Sequence, residues 1–225
     1  MSRPRIVGLM PMRHASERVP GKNYRDFNGK PLYRWVLEAL LSCGWIDEVL
    51  IDTDSPTILE DAARFDRVTL VERPEKLLGG DVPMNEILLH DVTLIEADWY
   101  LQTHSTNPLL RPETMARGVE ALLSSLDEHD SLFSVTPLQT RLYWQDGRAI
   151  NHDPSELLRT QDLPPVYEEN SCMYLFRRET LEKRHNRIGE RPLLFEIPAE
   201  EAVDIDVELN FRVAEALATI GRSMK

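Results

Sequence analysis

The 225 residues carry 38 acidic against 26 basic side chains, a net charge of −12, with 42% hydrophobic and 28% charged residues. This composition fits a single globular domain, residues 1–225, with a sizeable core. It excludes the broad basic surface that binds nucleic acid or an anionic membrane without specificity.

No apolar run reaches the roughly 18 residues of a membrane span, and the "MSRPRIVGLMPM" start is too short for a secretory leader. Cys43 and Cys172 read as buried free thiols, and the chain is expected in the cytoplasm. Arg5–Met12 reads as a buried strand. Pro31–Gly44 reads as a helix, with Pro at its start and Gly at its end. Asp47–Asp54 is a strand, Ser55–Asp66 a helix with Ser55 as N-cap, and Arg67–Glu72 a third strand. This alternation predicts parallel βαβ units. It continues with a helix at Met84–Ala97, a strand at Asp98–Thr103, a helix at Arg111–Ser125 and strands at Asp130–Pro137 and Asn170–Arg177. A closing helix spans Val207–Gly221. The Pro-rich segment Leu138–Glu169 breaks the rhythm and is too long for a structureless loop, so it is expected to form an arm outside the sheet.

Three stretches could carry chemistry. Between Arg13 and Lys30 lie five basic and two acidic residues, after the first strand. Arg13, Ser16, Arg18, Lys22 and Asn23 there suit a phosphate group, with Gly21 allowing close backbone approach. A solvated basic loop has the same composition, and neither a Walker A nor a G-x-G-x-x-G pattern is present. In "VDIDVELN", Asp204 and Asp206 project to one face if the chain is extended, which suits Mg²⁺ and a phosphate. An acidic turn capping a helix reads the same way. "LQTHSTNPLLRP" is either pocket lining or a series of turns, and His104 in it reads as a packed histidine.

Taken together, these motifs resemble the acylneuraminate cytidylyltransferase family, the CMP–sialic acid synthetases and their relatives. The family's R-x-x-S-x-x-x-P-x-K-N pattern stands here as "RHASERVPGKN". Its S/T-D element stands as "VLIDTDSPTI" and its R-P turn as "ERPEKL". "HSTNPLLR" corresponds loosely to Q-x-T-S-P-L-R, "RTQDLPPVYEEN" to R-x-Q-x-L-P…N, and "VDIDVELNFRVAEAL" to the terminal D-I-D and helix. The resemblance implies an α/β fold with a mainly parallel sheet and helices on both faces, like the nucleotide-diphospho-sugar transferases. It also implies transfer of CMP from CTP to a 2-keto-3-deoxy sugar acid with Mg²⁺. Arg13 and Lys22 would bind the triphosphate, Ser16 and Asn23 the nucleotide, and Arg73 would lie near the cytidine. Asp204 and Asp206 would hold Mg²⁺. Arg159, Gln161 and Asn170 would face the sugar, and residues 138–169 would be a dimerisation arm of a homodimer. Glu17 and Glu168 stand where the sialic acid enzymes commonly have Lys and Arg, so the acceptor is expected to differ from N-acetylneuraminate. Arg159 is then the cation left on that segment for the sugar's carboxylate. A different sugar or nucleotide, or binding without turnover, stays open on the residues alone.

Overall fold

The computed structural model describes residues 3–223. Strands are β1 (Ile6–Leu9), β2 (Asp26–Phe27), β3 (Lys30–Pro31), β4 (Glu48–Thr53), β5 (Val68–Glu72), β6 (Trp99–Thr103), β7 (Ser131–Leu138), β8 (Val166–Phe176) and β9 (Pro192–Glu196). Helices are α1 (Leu32–Ser42), α2 (Pro56–Ala62), α3 (Met84–Leu94), α4 (Pro112–Leu123), α5 (Arg178–Arg184) and α6 (Glu208–Ser223). Seven strands form one sheet in the order β5-β4-β1-β6-β8-β7-β9. Only β8 runs against the rest: its pairings with β6 and β7 are antiparallel, whereas β1–β4, β1–β6, β4–β5 and β7–β9 are parallel.

Strand alternation builds a core on each face. Ile6, Val49, Ile51 and Leu101 pack with α1, α2 and α4; Val7, Leu50 and Tyr100 pack with α3 and α5 on the other side. In α1, Leu32, Tyr33, Val36, Leu37 and Leu40 are all buried, the i, i+4, i+8 stripe of a helix lying on a sheet. Gly8 lets it settle there, because a Cβ at that position would meet Leu40 and Val49 at 3.3 Å. Ser55 caps α2 as its sequence predicts, accepting the Ile58 N–H at 3.4 Å.

A third, smaller cluster of Val19, Phe27, Leu32, Ile205, Phe211 and Ala214 ties the β1–α1 loop to the start of α6. Arg25 reinforces it with a bidentate pair to Glu208 at 2.6 and 2.9 Å while lying 4.1 Å over the Phe211 ring. These contacts bring sequence positions about 180 residues apart to one place.

The boundary that bears on the arm differs from the one read in the sequence. β8 begins at Val166, not Asn170, and pairs Val166 with Leu138 and Glu169 with Val135. The ends of the segment assigned to the arm are therefore rungs of the main sheet, and the excursion covers residues 139–165. The exposed glutamates of "VYEEN" hid the strand, since that half of β8 buries no apolar side chain. α5 and β9 were missed: α5 buries only Leu181, and β9 is a five-residue strand that begins with a proline. No helix among the described residues is long and apolar enough to cross a membrane.

Candidate active site

In an open parallel sheet, ligands bind beyond the carboxyl ends of the strands, where neighbouring connections depart in opposite directions. Here that point lies between β1 and β6: from β1 the chain builds outward through β4 and β5, and β6 adds on the other side. A cleft of about 750 Å³ opens there. Its lining includes Arg13, Ser16, Arg18, Lys22, Asn23, Arg73, His104, Ser105, Thr106, Ser171, Asp204 and Asp206. Seven of the ten residues that the resemblance assigns to the site thus meet in one place: Arg13, Ser16, Lys22, Asn23, Arg73, Asp204 and Asp206.

Local chemistry fixes each one. Gly21 adopts φ 67, the left-handed region, and starts the single turn Lys22–Tyr24. That turn points the Lys22 ammonium at the last segment of the chain, where Nζ donates to the Ile205 carbonyl at 2.5 Å. Burial pulls the Lys22 pKa down, against the charges of Asp204 and Asp206. Asn23 holds the loop: its Nδ2 donates to the Arg13 carbonyl at 2.7 Å, and its Oδ1 accepts from Ser105 Oγ at 2.8 Å. Ser16 Oγ accepts the Val19 N–H at 3.3 Å.

Asp204 and Asp206 flank Ile205, whose N–H donates to the Thr106 carbonyl at 2.9 Å and so pins the segment beside the β6 loop. Burial pushes Asp204 upward, with the Asp206 charge adding to it, against a Thr106 hydroxyl and Lys22. Asp204 Oδ1 is buried without a hydrogen-bond donor. A carboxylate oxygen left so beside a second carboxylate suits a small hard cation. Asp206 is engaged in a bidentate pair with Arg18, at 2.8 and 3.1 Å. His104 is neutral at physiological pH: burial, then the charges of Arg187 and Lys22, lower its pKa to about 4.

Arg73 is 4% exposed and bonds to Asp52 and, at 3.4 Å, to the Met12 carbonyl, so it braces the root of the cationic loop. Behind it lies a cluster that sequence reading missed. Asp52 and Asp91 are fully buried, and apart from one another Asp52 Oδ2 and both Asp91 oxygens have no hydrogen-bond partner. With His90 they offer three ligand atoms within 4.8 Å of one another, a spacing a metal could use. Charge balance favours a proton instead. Burial, the Asp52 charge and a hydrogen bond to Asp52 push Asp91 up to about 9, and Arg73 neutralises Asp52. The signals were a carboxylate inside each of two apolar runs, "VLIDT" and "LLHDV". Asp91 holds its proton in the folded chain and loses it on unfolding, so its contribution falls as pH rises from about 4 toward 9. Asp91→Asn, whose amide can donate as the protonated acid does, is expected to remove that slope. Its stability relative to wild type should climb with pH by up to about 1.4 kcal/mol per unit. Parallel denaturation profiles for the two proteins would refute the shared proton.

Arg159, Gln161 and Asn170 do not line the cleft within one chain. Arg159 is exposed and bonds to Asp162 at 2.6 and 3.0 Å, and Gln161 is exposed beside it. Asn170 is buried, bonded to Ser134 at 2.6 Å, Thr136 at 2.9 Å and the Cys172 N–H at 3.2 Å. There it holds the register shift between β7 and β8 that presents Ser171, at φ 59, to the cleft.

Comparison with known proteins places the chain among relatives of one family. A family model described as "Cytidylyltransferase" matches residues 7–216. The chain is 27% identical to a CMP-N,N'-diacetyllegionaminic acid synthase from Legionella pneumophila, covering 97% of this chain and 98% of that protein. It is also 27% identical to an N-acylneuraminate cytidylyltransferase from Oncorhynchus mykiss, where 93% of this chain spans 49% of the longer protein. Among solved structures it resembles a CMP:2-keto-3-deoxy-manno-octonic acid synthetase complexed with CTP. The TM-score is 0.68 and the identity 17%, over 96% of this chain and 99% of that one, a likeness of fold.

Proposed function

The chain belongs to the cytidylyltransferase family, and from that premise we propose that it transfers CMP from CTP to the anomeric hydroxyl of a 2-keto-3-deoxy sugar acid, releasing pyrophosphate. The observation that carries this is the meeting of Arg13, Lys22, Asp204 and Asp206 at the carboxyl ends of β1 and β6 in one cleft. Two cations beside two carboxylates suit a triphosphate and its counter-ion.

In this reading Arg13 and Lys22 neutralise the leaving pyrophosphate, Ser16 and Asn23 hold the loop against the nucleotide, and Arg73 braces the cytidine side. Asp204 and Asp206 would hold Mg²⁺, which would draw charge from the phosphates and favour ionisation of the attacking hydroxyl. The hydroxyl oxygen attacks the α-phosphorus in line with the departing pyrophosphate oxygen. Fixed charge and orientation supply most of the rate. His104, neutral, adds a dipole without a competing charge.

Residues 139–165 are the dimerisation arm of this proposal. They expose Tyr143, Trp144, Ile150, Leu157 and Leu158, more apolar surface than a monomer keeps without use. Arg159 and Gln161 of one copy would then reach the sugar over the cleft of the other. The two buried free cysteines suit a cytoplasmic setting.

Pyrophosphate release from CTP, measured with a panel of sialic, legionaminic, pseudaminic and octulosonic acids, tests the reaction. Turnover is expected with at least one acid, dependent on a divalent cation, and weaker with N-acetylneuraminate than with another acid of the panel. No release with any acid, or a preference for another nucleotide, would overturn the reading. Sedimentation as a monomer at assay concentration would remove the arm's role.

A further inference from the structure

We propose that Arg187 forms, with Gln102, the subsite that receives the acceptor's carboxylate, at the edge of the cleft beyond His104 and Ser171. The inference rests on the sugar-acid reading above.

Arg187 stands in the loop between α5 and β9, and that loop is held at several points. The Gly189 N–H donates to Ser131 Oγ at 2.8 Å, and the N–H groups of Glu190 and Arg191 donate to the Asp130 carboxylate at 3.0 and 3.1 Å. The guanidinium is placed as firmly. Nη1 donates to Gln102 Oε1 at 2.7 Å, and the group lies 3.6 Å from the centre of the Tyr174 ring. Gln102 is fully buried, and its Nε2 donates to the Thr103 carbonyl at 2.9 Å, which turns Oε1 toward Arg187.

These partners are neutral. The half-buried Arg34 and the buried Arg73 are each closed on an aspartate, Asp61 and Asp52. Arg187 instead rests on an amide and a phenol ring, so its charge remains for a ligand. With Nη1 on Gln102, the other N–H groups keep the planar fork that matches a carboxylate at two points. Glu169, the carboxylate that meets Tyr174, accepts from that residue's hydroxyl.

Two cleft residues fix the location. Gln102, which holds the guanidinium, lies two residues before His104, a residue of the cleft lining, and the Arg187 charge reaches that ring. Tyr174 bears the guanidinium on its face and bonds through its hydroxyl to Ser171 Oγ at 3.2 Å, and Ser171 lines the cleft. Arg187 therefore stands beside the β6 and β8 walls of the site, on the chain itself and independent of any second copy. It offers the acceptor a cation within one chain, whereas Arg159 lies outside this chain's cleft.

The test compares the best sugar acid of the panel with its C1 carboxamide, in wild type, Arg187→Ala and Arg187→Lys. Arg187→Ala is expected to raise KM for the acid by about 30-fold or more, as for loss of a charge-assisted pair. KM for CTP should stay within about 2-fold, since a local change leaves distant contacts intact. Wild type should prefer the acid to the carboxamide, and Arg187→Ala should lose that preference. Arg187→Lys should recover part of it, which a purely structural role would not allow. An Arg187→Ala enzyme that keeps the preference, or a preference lost only in Arg159→Ala, would overturn the subsite. Wild-type turnover reports on the reaction separately. If no acid turns over, calorimetric binding of the acids to wild type and Arg187→Ala decides the subsite, and equal or absent binding overturns it.

Discussion

Asp206→Asn is expected to lower kcat by about three orders of magnitude with little change in melting temperature. The size follows from the task assigned to this carboxylate: weakening a hard oxygen ligand at the triphosphate forfeits several kcal/mol of charge stabilisation at the reacting phosphate. The unchanged stability follows from the surroundings. The bond lost in the free protein is the pair to Arg18, whose side chains are 62% and 47% exposed, and exposed pairs contribute about 0–1 kcal/mol. Arg18 also competes with the cation for Asp206, so the wild-type enzyme should need more Mg²⁺ than Arg18→Ala does. Asp204→Asn should act in the same direction but with a stability component, because Asp204 is more buried and its environment already opposes its charge. Full wild-type turnover in a chelator, or an Asp206→Asn variant with normal kcat, would remove the metal role from this pair.

The sheet was legible because its strands and helices keep their periods. β1, β4 and β6 are short apolar runs bounded by loops, and α1 and α4 carry clean buried stripes. The cleft was legible as motifs but not as geometry. Nothing in "RHASERVPGKN" shows that Lys22 reaches Ile205, because that contact depends on Phe27, Phe211 and Ala214 packing together across the length of the chain. The strand pattern of "VYEEN" was concealed because Glu168 and Glu169 are exposed. Arg187 carried no signal: no motif covers it, and its partners Gln102 and Tyr174 lie on two other strands. Asp52 and Asp91 were hidden for the opposite reason, because an apolar run that contains one carboxylate still reads as core.

Arg13→Ala and Lys22→Ala are expected each to remove about 2–4 kcal/mol of transition-state stabilisation, the scale of one preorganised electrostatic donor. In kcat/KM for CTP this is a loss of roughly 30- to 1,000-fold. The two should differ in stability. The Arg13 side chain is exposed, and the loop is held through its backbone carbonyl, which alanine retains. Arg13→Ala should therefore melt with wild type. Lys22 is half-buried and satisfies the Ile205 carbonyl, so Lys22→Ala leaves an acceptor unpaired and should cost about 1 kcal/mol of folding stability as well. The pH profile separates the two further. Burial lowers the Lys22 pKa, so its ammonium loses its proton at lower pH than an ordinary lysine, and the charge is fully present only below that point. Wild-type kcat/KM should then fall on the alkaline side, and Lys22→Ala should lack that fall while Arg13→Ala keeps it. Steady-state kinetics with CTP across pH measures all of this. Full activity in either variant would mean that the triphosphate lies elsewhere, and an alkaline limb that survives in Lys22→Ala would assign that titration to another group.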